Sequence, residues 1–307
     1  AANANGVATI TVVTQDDGNT VNNGVDRSTN TFTITVTPVN DAPTFALRSV
    51  GEVVAWGWND NGQATVPTDL TSVTAVAAGW YHSLALRFDG SVAAWGANWQ
   101  GESDPPAAVQ NGVTAIAGGN TFSLALKADG SVFAWGDDVD AVNLVPPALT
   151  DAVAIAAGER HGLALRSDGT VNGWGENSYG QTNVPVGLNN VVAIAAGSGS
   201  SLALRSDGTA VIWGLDWDVG RLTVLNDLIA IDARDERVLG LRSDGSIAGD
   251  WWVDPAVNAI AIASGADHAL ALRADGTLTM SGGGEFDNAG VIPPAAASGV
   301  RAVAAGE

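Results

Sequence analysis

A repeat near 40 residues long predicts an all-β fold, a seven-bladed β-propeller behind a short β segment. Three observations carry the prediction. The phrase at residues 84–96, LALRFDGSVAAWG, returns as LALKADGSVFAWG from Leu124, LALRSDGTVNGWG from Leu163 and LALRSDGTAVIWG from Leu202, with worn copies from Phe45, Leu239 and Leu270. Its turn glycines, Gly51, Gly90, Gly130, Gly169, Gly208, Gly245 and Gly276, are spaced by 39, 40, 39, 39, 37 and 31 residues. A small-residue strand of the AIAAG type recurs at 75–79, 115–119, 154–158, 193–197, 230–234, 261–265 and 302–306.

Taken in order, residues 7–14 (VATITVVT) and 31–37 (TFTITVT) are rich in β-branched residues and read as strands. A polar loop separates them, and PVNDAP at 38–43 ends the pattern, which sets domain boundaries at 1–43 and 44–307. In the repeats, Asp-Gly between two apolar runs predicts a hairpin with a type I′ turn, which needs positive φ at both central positions. The small side chains of the AIAAG strands suit a narrow central channel. The first LALR-like strand, at Phe45, has no AIAAG strand before it, and the last AIAAG strand, at 302–306, has no LALR strand after it. Pairing the two completes a seventh blade and closes the ring, which removes an exposed sheet edge.

Composition narrows the function classes. The formal net charge is −20, and seven of the thirteen basic residues (Arg48, Arg87, Lys127, Arg166, Arg205, Arg242, Arg273) occupy one repeat position. No basic face remains to neutralise phosphates, which argues against nucleic acid and anionic membrane surfaces as partners. Cysteine is absent, so there is neither a disulfide framework nor a thiolate metal site. No apolar run approaches the roughly 20 residues needed to span a bilayer. Starting inside strand-like sequence without a visible signal peptide, the chain reads as a processed product or a piece of something longer.

Two resemblances follow from these residues. Trp80-Tyr81-His82-Ser83-Leu84, Trp56-Gly57-Trp58-Asn59 and Gly180-Gln181 through Val184-Pro185 make residues 44–307 similar to the regulator of chromosome condensation repeat family. They are most similar to its short-repeat form, found in secreted bacterial propellers that inhibit β-lactamases. The fifth to seventh repeats depart from that pattern: Leu215-Asp216-Trp217-Asp218 follows Trp213-Gly214, Gly249-Asp250-Trp251-Trp252 stands in the sixth, and Met280-Ser281-Gly282 replaces Trp-Gly. No insertion is long enough to supply the wedge of the nucleotide-exchange members, so that activity is not expected. Residues 1–43, ending TFTITVTPVNDAPTF, resemble the tail of a bacterial cadherin-like or immunoglobulin-like repeat. That likeness implies Asn40 and Asp41 as oxygen ligands for calcium, the one cofactor the sequence suggests.

The candidate chemistry is thin once periodic residues are subtracted. His82, His161 and His268 occupy one repeat position in three blades and read as scaffold, as do the Asp-Gly aspartates. Asp137-Asp138-x-Asp140 reads as a solvated loop. Trp56, Trp95, Trp135, Trp174 and Trp213 belong to the Trp-Gly phrase and read as core. Trp58, Trp80, Trp99, Trp217, Trp251, Trp252, Tyr81 and Tyr179 do not repeat. Several fall on loops over a rigid scaffold, where tryptophan and tyrosine dominate interface hot spots; packing between blades is the competing role. In the inhibitor relatives the loops after the AIAAG and Trp-Gly strands form the binding face. By position this maps to Trp80-Tyr81, Asn120-Thr121, Glu159-Arg160, Trp58, Asp137, Glu176 and Asp216-Trp217.

The expected function is a non-enzymatic binding or adhesion module of a large secreted or surface-attached bacterial protein, located extracellularly or at the cell surface. Its partner would be a protein or glycan, contacted through Trp58, Trp80, Tyr81, Trp99, Glu159, Tyr179, Asp216, Trp217, Trp251 and Trp252. Two other readings stand beside it: a structural subunit that self-associates by strand addition through residues 1–43, and a proteinaceous inhibitor of a secreted enzyme.

Overall fold

The structure is a computed structural model. It describes residues 52–215, 226–235, 237–249, 258–282 and 292–306, and the backbone of 6–15, 27–36 and 44–47. The chain divides into two compact units, Ala1–Thr37 and Pro38–Glu307. In the first, β1 (Gly6–Gln15) pairs antiparallel with β2 (Arg27–Val36), in a register that sets Ala8 opposite Ile34 and Ile10 opposite Phe32. A two-stranded ribbon is at best marginally stable in water unless something covers it.

The second unit is built from three-stranded antiparallel sheets. It begins with β3 (Thr44–Leu47) and β4 (Val53–Trp56). Six sheets then follow in chain order, one per repeat. Sheet 1 is β5 (Val73–Ala78), β6 (His82–Arg87) and β7 (Val92–Gly96); sheet 2 is β8 (Val113–Gly118), β9 (Phe122–Lys127) and β10 (Val132–Gly136). Sheet 3 is β11 (Ala152–Ala157), β12 (His161–Arg166) and β13 (Val171–Gly175); sheet 4 is β14 (Val191–Ala196), β15 (Ser200–Arg205) and β16 (Ala210–Gly214). Sheet 5 is β17 (Leu228–Arg234), β18 (Arg237–Arg242) and the short β19 (Ile247–Gly249); sheet 6 is β20 (Ala259–Ser264), β21 (His268–Arg273) and β22 (Leu278–Gly282). The last strand, β23 (Val303–Ala304), pairs with β3, Val303 opposite Ala46, and β3 pairs with β4.

The Asp-Gly hairpins form where the repeat predicts them but not with the predicted turn. Gly90 has φ +78°, whereas Asp89 stays out of the left-handed region, so the turn is not type I′. Arg87 N–H donates to Ser91 O (2.9 Å) and Gly90 N–H to Arg87 O (2.9 Å), leaving a three-residue loop with glycine at its left-handed position. The Asp89 carboxylate accepts from Ser91 N–H (2.9 Å), and hydrogen bonding from the Ser91 hydroxyl first and this N–H second holds it below the usual carboxylate range. The same bond recurs from Asp129, Asp168, Asp207, Asp244 and Asp275.

The apolar clusters lie between neighbouring sheets rather than within one. Phe122, Leu124 and Leu126 of sheet 2 pack on Ile155, Ala157 and Trp174 of sheet 3, and Leu163 and Leu165 of sheet 3 on Ile194, Ala196 and Trp213 of sheet 4. Val53 and Ala55 of β4 pack with Val73, Val76 and Trp95 of sheet 1, while Trp56 packs with Leu270 and Leu272 of sheet 6. Ala77, Ala78, Ala117, Ala156 and Ala157 are fully buried, so they are small because two sheets meet there, not because they line an open channel. The Trp-Gly tryptophans are core, as expected, and four of the five also tie a sheet to the loop that enters it, the Trp56 indole N–H being buried without a described partner. The indole N–H of Trp95, Trp135, Trp174 and Trp213 donates to the backbone carbonyl of Gln63, Glu102, Val142 and Gln181, at 2.7–2.9 Å.

Candidate protein-binding face

In sheets 1 to 4 the loop after the first strand and the start of the loop after the third strand lie together, at the end opposite the Asp-Gly turns. Ala97 N–H donates to Tyr81 O (2.8 Å), Asp137 N–H to Thr121 O (2.8 Å), Glu176 N–H to Arg160 O (2.9 Å) and Leu215 N–H to Gly199 O (2.8 Å). A second set of bonds stitches neighbouring sheets at this end: Trp80 N–H to Gly119 O (3.0 Å), Asn120 N–H to Glu159 O (3.0 Å), Glu159 N–H to Gly197 O (3.3 Å) and Ser198 N–H to Asp235 O (2.9 Å). Trp80, Asn120, Glu159, Ser198 and Asp235 therefore follow one another along an arc, one per sheet.

Four of the predicted contact residues come together on this arc. Tyr81 is the hub: its ring centroid lies 5.5 Å from that of Trp58, 6.3 Å from Trp80 and 5.2 Å from Trp99, the first two edge-on. Trp58, Trp80 and Tyr81 are partly buried, and Trp99 is 59% exposed. Trp58 and Trp80 pack on Tyr81, the competing role weighed from sequence, while Trp99 packs on Tyr81 and faces outward. Tyr179 (54% exposed) stands elsewhere, against Gly199, where an added Cβ would lie 2.8 Å from its ring. Glu159 is half-buried, and burial together with the Glu176 carboxylate raises its pKa. Asp216, Trp217, Trp251 and Trp252, and the calcium candidates Asn40 and Asp41, lie outside the described residues.

The histidines are occupied by the scaffold. His82 Nε2 lies 2.8 Å from Ser123 Oγ, which donates its own proton to Glu102 O (2.9 Å). Ser123 must then accept from the imidazole, which puts the His82 proton on Nε2. His161, Ser201 and Gln181 O repeat the chain at 2.9 and 2.8 Å. Burial, with the Arg234 charge added, lowers His82 to about 3; burial alone lowers His161 to about 4.

Sequence reasoning missed two residues here. The fifth small-residue strand reads Ala230-Ile-Asp-Ala-Arg234, and Asp232 and Arg234 stand where the other copies have alanine and glycine. The expectation of small side chains fails at these two positions. Both are buried, and the Arg234 guanidinium lies 5.5 Å from the Trp80 ring centroid. Sheets 1 and 5 share no apolar cluster, so this contact reaches across the interior to support the aromatic hub. The Asp232 carboxyl accepts from Ser264 N–H (2.7 Å) and Ala233 N–H (2.9 Å), joining sheets 5 and 6, and burial pushes its pKa up to about 8. The visible signal was the break in the repeat itself.

Comparison with known proteins agrees with this architecture. The family model for the Regulator of chromosome condensation (RCC1) repeat matches residues 73–101, 113–140 and 152–181, which are sheets 1 to 3 with their outgoing loops. No curated protein matches the chain in sequence. Prp20p from Saccharomyces cerevisiae, studied for its binding to Gsp1p and histones, superposes with a TM-score of 0.63 at 20% identity, covering 87% of this chain and 86% of that one. Yeast RCC1 (Prp20) with Kap60 bound gives 0.63 at 19%, covering 91% and 90%. The CRINKLY WD40 ectodomain of the Arabidopsis thaliana receptor kinase ACR4 gives 0.56 at 19%, covering 69% and 85%. At these identities the likeness is one of fold alone: the second unit is an RCC1-like propeller.

Proposed function

We propose that the chain is a non-enzymatic binding module, extracellular or at the cell surface, that holds a protein partner on the loop face around Tyr81. The observation that carries this reading is the Trp58–Trp80–Tyr81–Trp99 cluster, which has no counterpart among the other described loops and which leaves Trp99 facing out. The non-enzymatic reading is supported by His82 and His161, whose imidazoles are buried in serine-to-carbonyl chains. The platform we infer is a closed ring of seven sheets, supported by the β23–β3 pairing and by β4 packing on sheets 1 and 6. The test is retention of secreted and surface proteins of the source organism on the immobilised full chain. Proteins held by the wild type should be lost from Tyr81→Ala/Trp99→Ala and kept by Phe88→Ala, which removes an exposed ring from the opposite end (80% exposed). Equal retention by all three overturns the reading.

A second reading, self-association through residues 1–43, is favoured by the β1–β2 register. It sets Ala8 and Ile10 opposite Ile34 and Phe32, which concentrates apolar positions on one side of a two-stranded ribbon. Removing residues 1–43 should then convert an oligomer into a monomer in sedimentation; an unchanged sedimentation state would sink it.

A further inference from the structure

We infer that the segment seated on this face is cationic, a loop or extended stretch of a partner protein that sets a lysine or arginine side chain between the exposed tryptophan and the carboxylates of the same arc. This rests on the binding face proposed above and names what the face takes. The arc runs from Trp80 through Asn120 to Glu159, Ser198 and Asp235, one residue per sheet, so the ring and the carboxylates lie along one line of loops, with Asn120 between Trp80 and Glu159. Asn120 Nδ2 lies 3.5 Å from Glu159 Oε1, and Glu176 enters beside it through its bond to Arg160 O.

The basic groups at this end offset those carboxylates only in part: the Arg160 charge lowers the pKa of Glu159, but by less than burial and the Glu176 carboxylate raise it. Arg160 is turned to Asp140 (3.2 Å), and Arg234 is 2% exposed beneath Trp80, so neither faces a partner as a free charge. What faces outward is an aromatic edge with acidic neighbours, on a chain of net charge −20. A guanidinium or ammonium group meets both requirements at once. Such groups are drawn both to the negative face of an aromatic ring and to carboxylates, so a segment lying along the arc satisfies the two together. The molecule already makes this contact twice for itself, Arg234 on Trp80 at 5.5 Å and Lys127 on Phe133 at 5.7 Å. Glu159 gives the direction of gain: it is half-buried and repelled by Glu176 and Asp235, and a partner cation relieves that repulsion. An acidic segment would add to it. A neutral sugar would leave the carboxylates without a counter-charge.

The experiment selects from a displayed random dodecapeptide library on the immobilised full chain, then measures the enriched peptides against variants. The expected result is enrichment of lysine and arginine beside an apolar residue, with affinity falling as salt rises. Trp99→Ala and Glu159→Gln/Glu176→Gln should each weaken binding by about tenfold, a change matching a partly desolvated cation–π or ion contact. Circular dichroism melting of each variant confirms that the fold is kept. Peptides that depend on Trp99 but are neutral or acidic, and ignore the two Glu→Gln changes, overturn the cationic partner while leaving the binding face standing. Peptides of any charge that bind Tyr81→Ala/Trp99→Ala as tightly as wild type overturn the face itself. Failure to enrich any peptide overturns the cationic proposal.

Discussion

His161→Gln is expected to remove about 3 kcal/mol of the stability change that the propeller unit undergoes between pH 7 and pH 4. The imidazole is fully buried and donates from Nε2 to Ser201 Oγ, while no described group partners its Nδ1. Burial lowers its pKa from 6.5 to about 4, so between those values the unfolded chain takes a proton that the folded chain refuses. Stability from this group is therefore complete above pH 6.5 and is lost as pH falls toward 4. At about 1.4 kcal/mol for each tenfold change in proton affinity, the loss by pH 4 is about 3 kcal/mol. His82, lowered to about 3, adds a loss in the same direction that continues to lower pH. Asp232 runs the other way. Raised to about 8, it is protonated in the fold while the unfolded chain has already released its proton, so its contribution falls as pH rises from about 4 to about 8. The wild-type profile is thus a sum of opposing slopes, whereas the difference between wild type and His161→Gln isolates one imidazole. Glutamine keeps a donor for Ser201 and cannot titrate. Denaturant unfolding of both proteins at pH 7 and pH 4 measures the difference; parallel profiles would show that the imidazole is not excluded from protonation in the fold.

The scaffold was legible because each repeat states it again, and a feature stated several times needs no tertiary information. The Asp-Gly phrase placed the hairpin between the second and third strands of sheets 1 to 6, and the Trp-Gly phrase placed its tryptophans in the core. The turn type was misread because Asp-Gly fits both a two-residue and a three-residue loop. The choice is made by the strands: Leu86 pairs with Val92, which leaves room for Arg87 and Ser91 to close over Phe88, Asp89 and Gly90. The face was legible only by subtraction. Trp58, Trp80, Tyr81 and Trp99 stood out as unrepeated, and they meet because loops of adjacent repeats are joined at this end. Arg234 was hidden by the same template. A reading that expects a small residue at a position treats a large one as wear, although a buried guanidinium beneath Trp80 is the more informative outcome.

The glycine that Arg234 replaces leads to the last expected result: Gly158→Ala should destabilise the propeller unit by about 3 kcal/mol or more, the upper end of what overpacking costs. Its backbone is not in the left-handed region, so conformational strain is not the reason. Space is. A Cβ on Gly158 would lie 2.2 Å from His161 Cε1 and 2.5 Å from Gly197 O. Neither neighbour gives way cheaply, since the imidazole is held by Ser201 and the carbonyl accepts from Glu159 N–H. Gly158→Ala/His161→Ala removes one obstacle and leaves the carbonyl, so rescue should be partial. Sheet 5 is the natural counterexample. There the strand runs one residue further, Arg234 pairs with Arg237, and no imidazole occupies the space. If thermal unfolding of Gly158→Ala matched wild type, the stitch from sheet to sheet would be looser than described. The support beneath Glu159, and with it the acidic half of the proposed binding face, would then have to come from elsewhere.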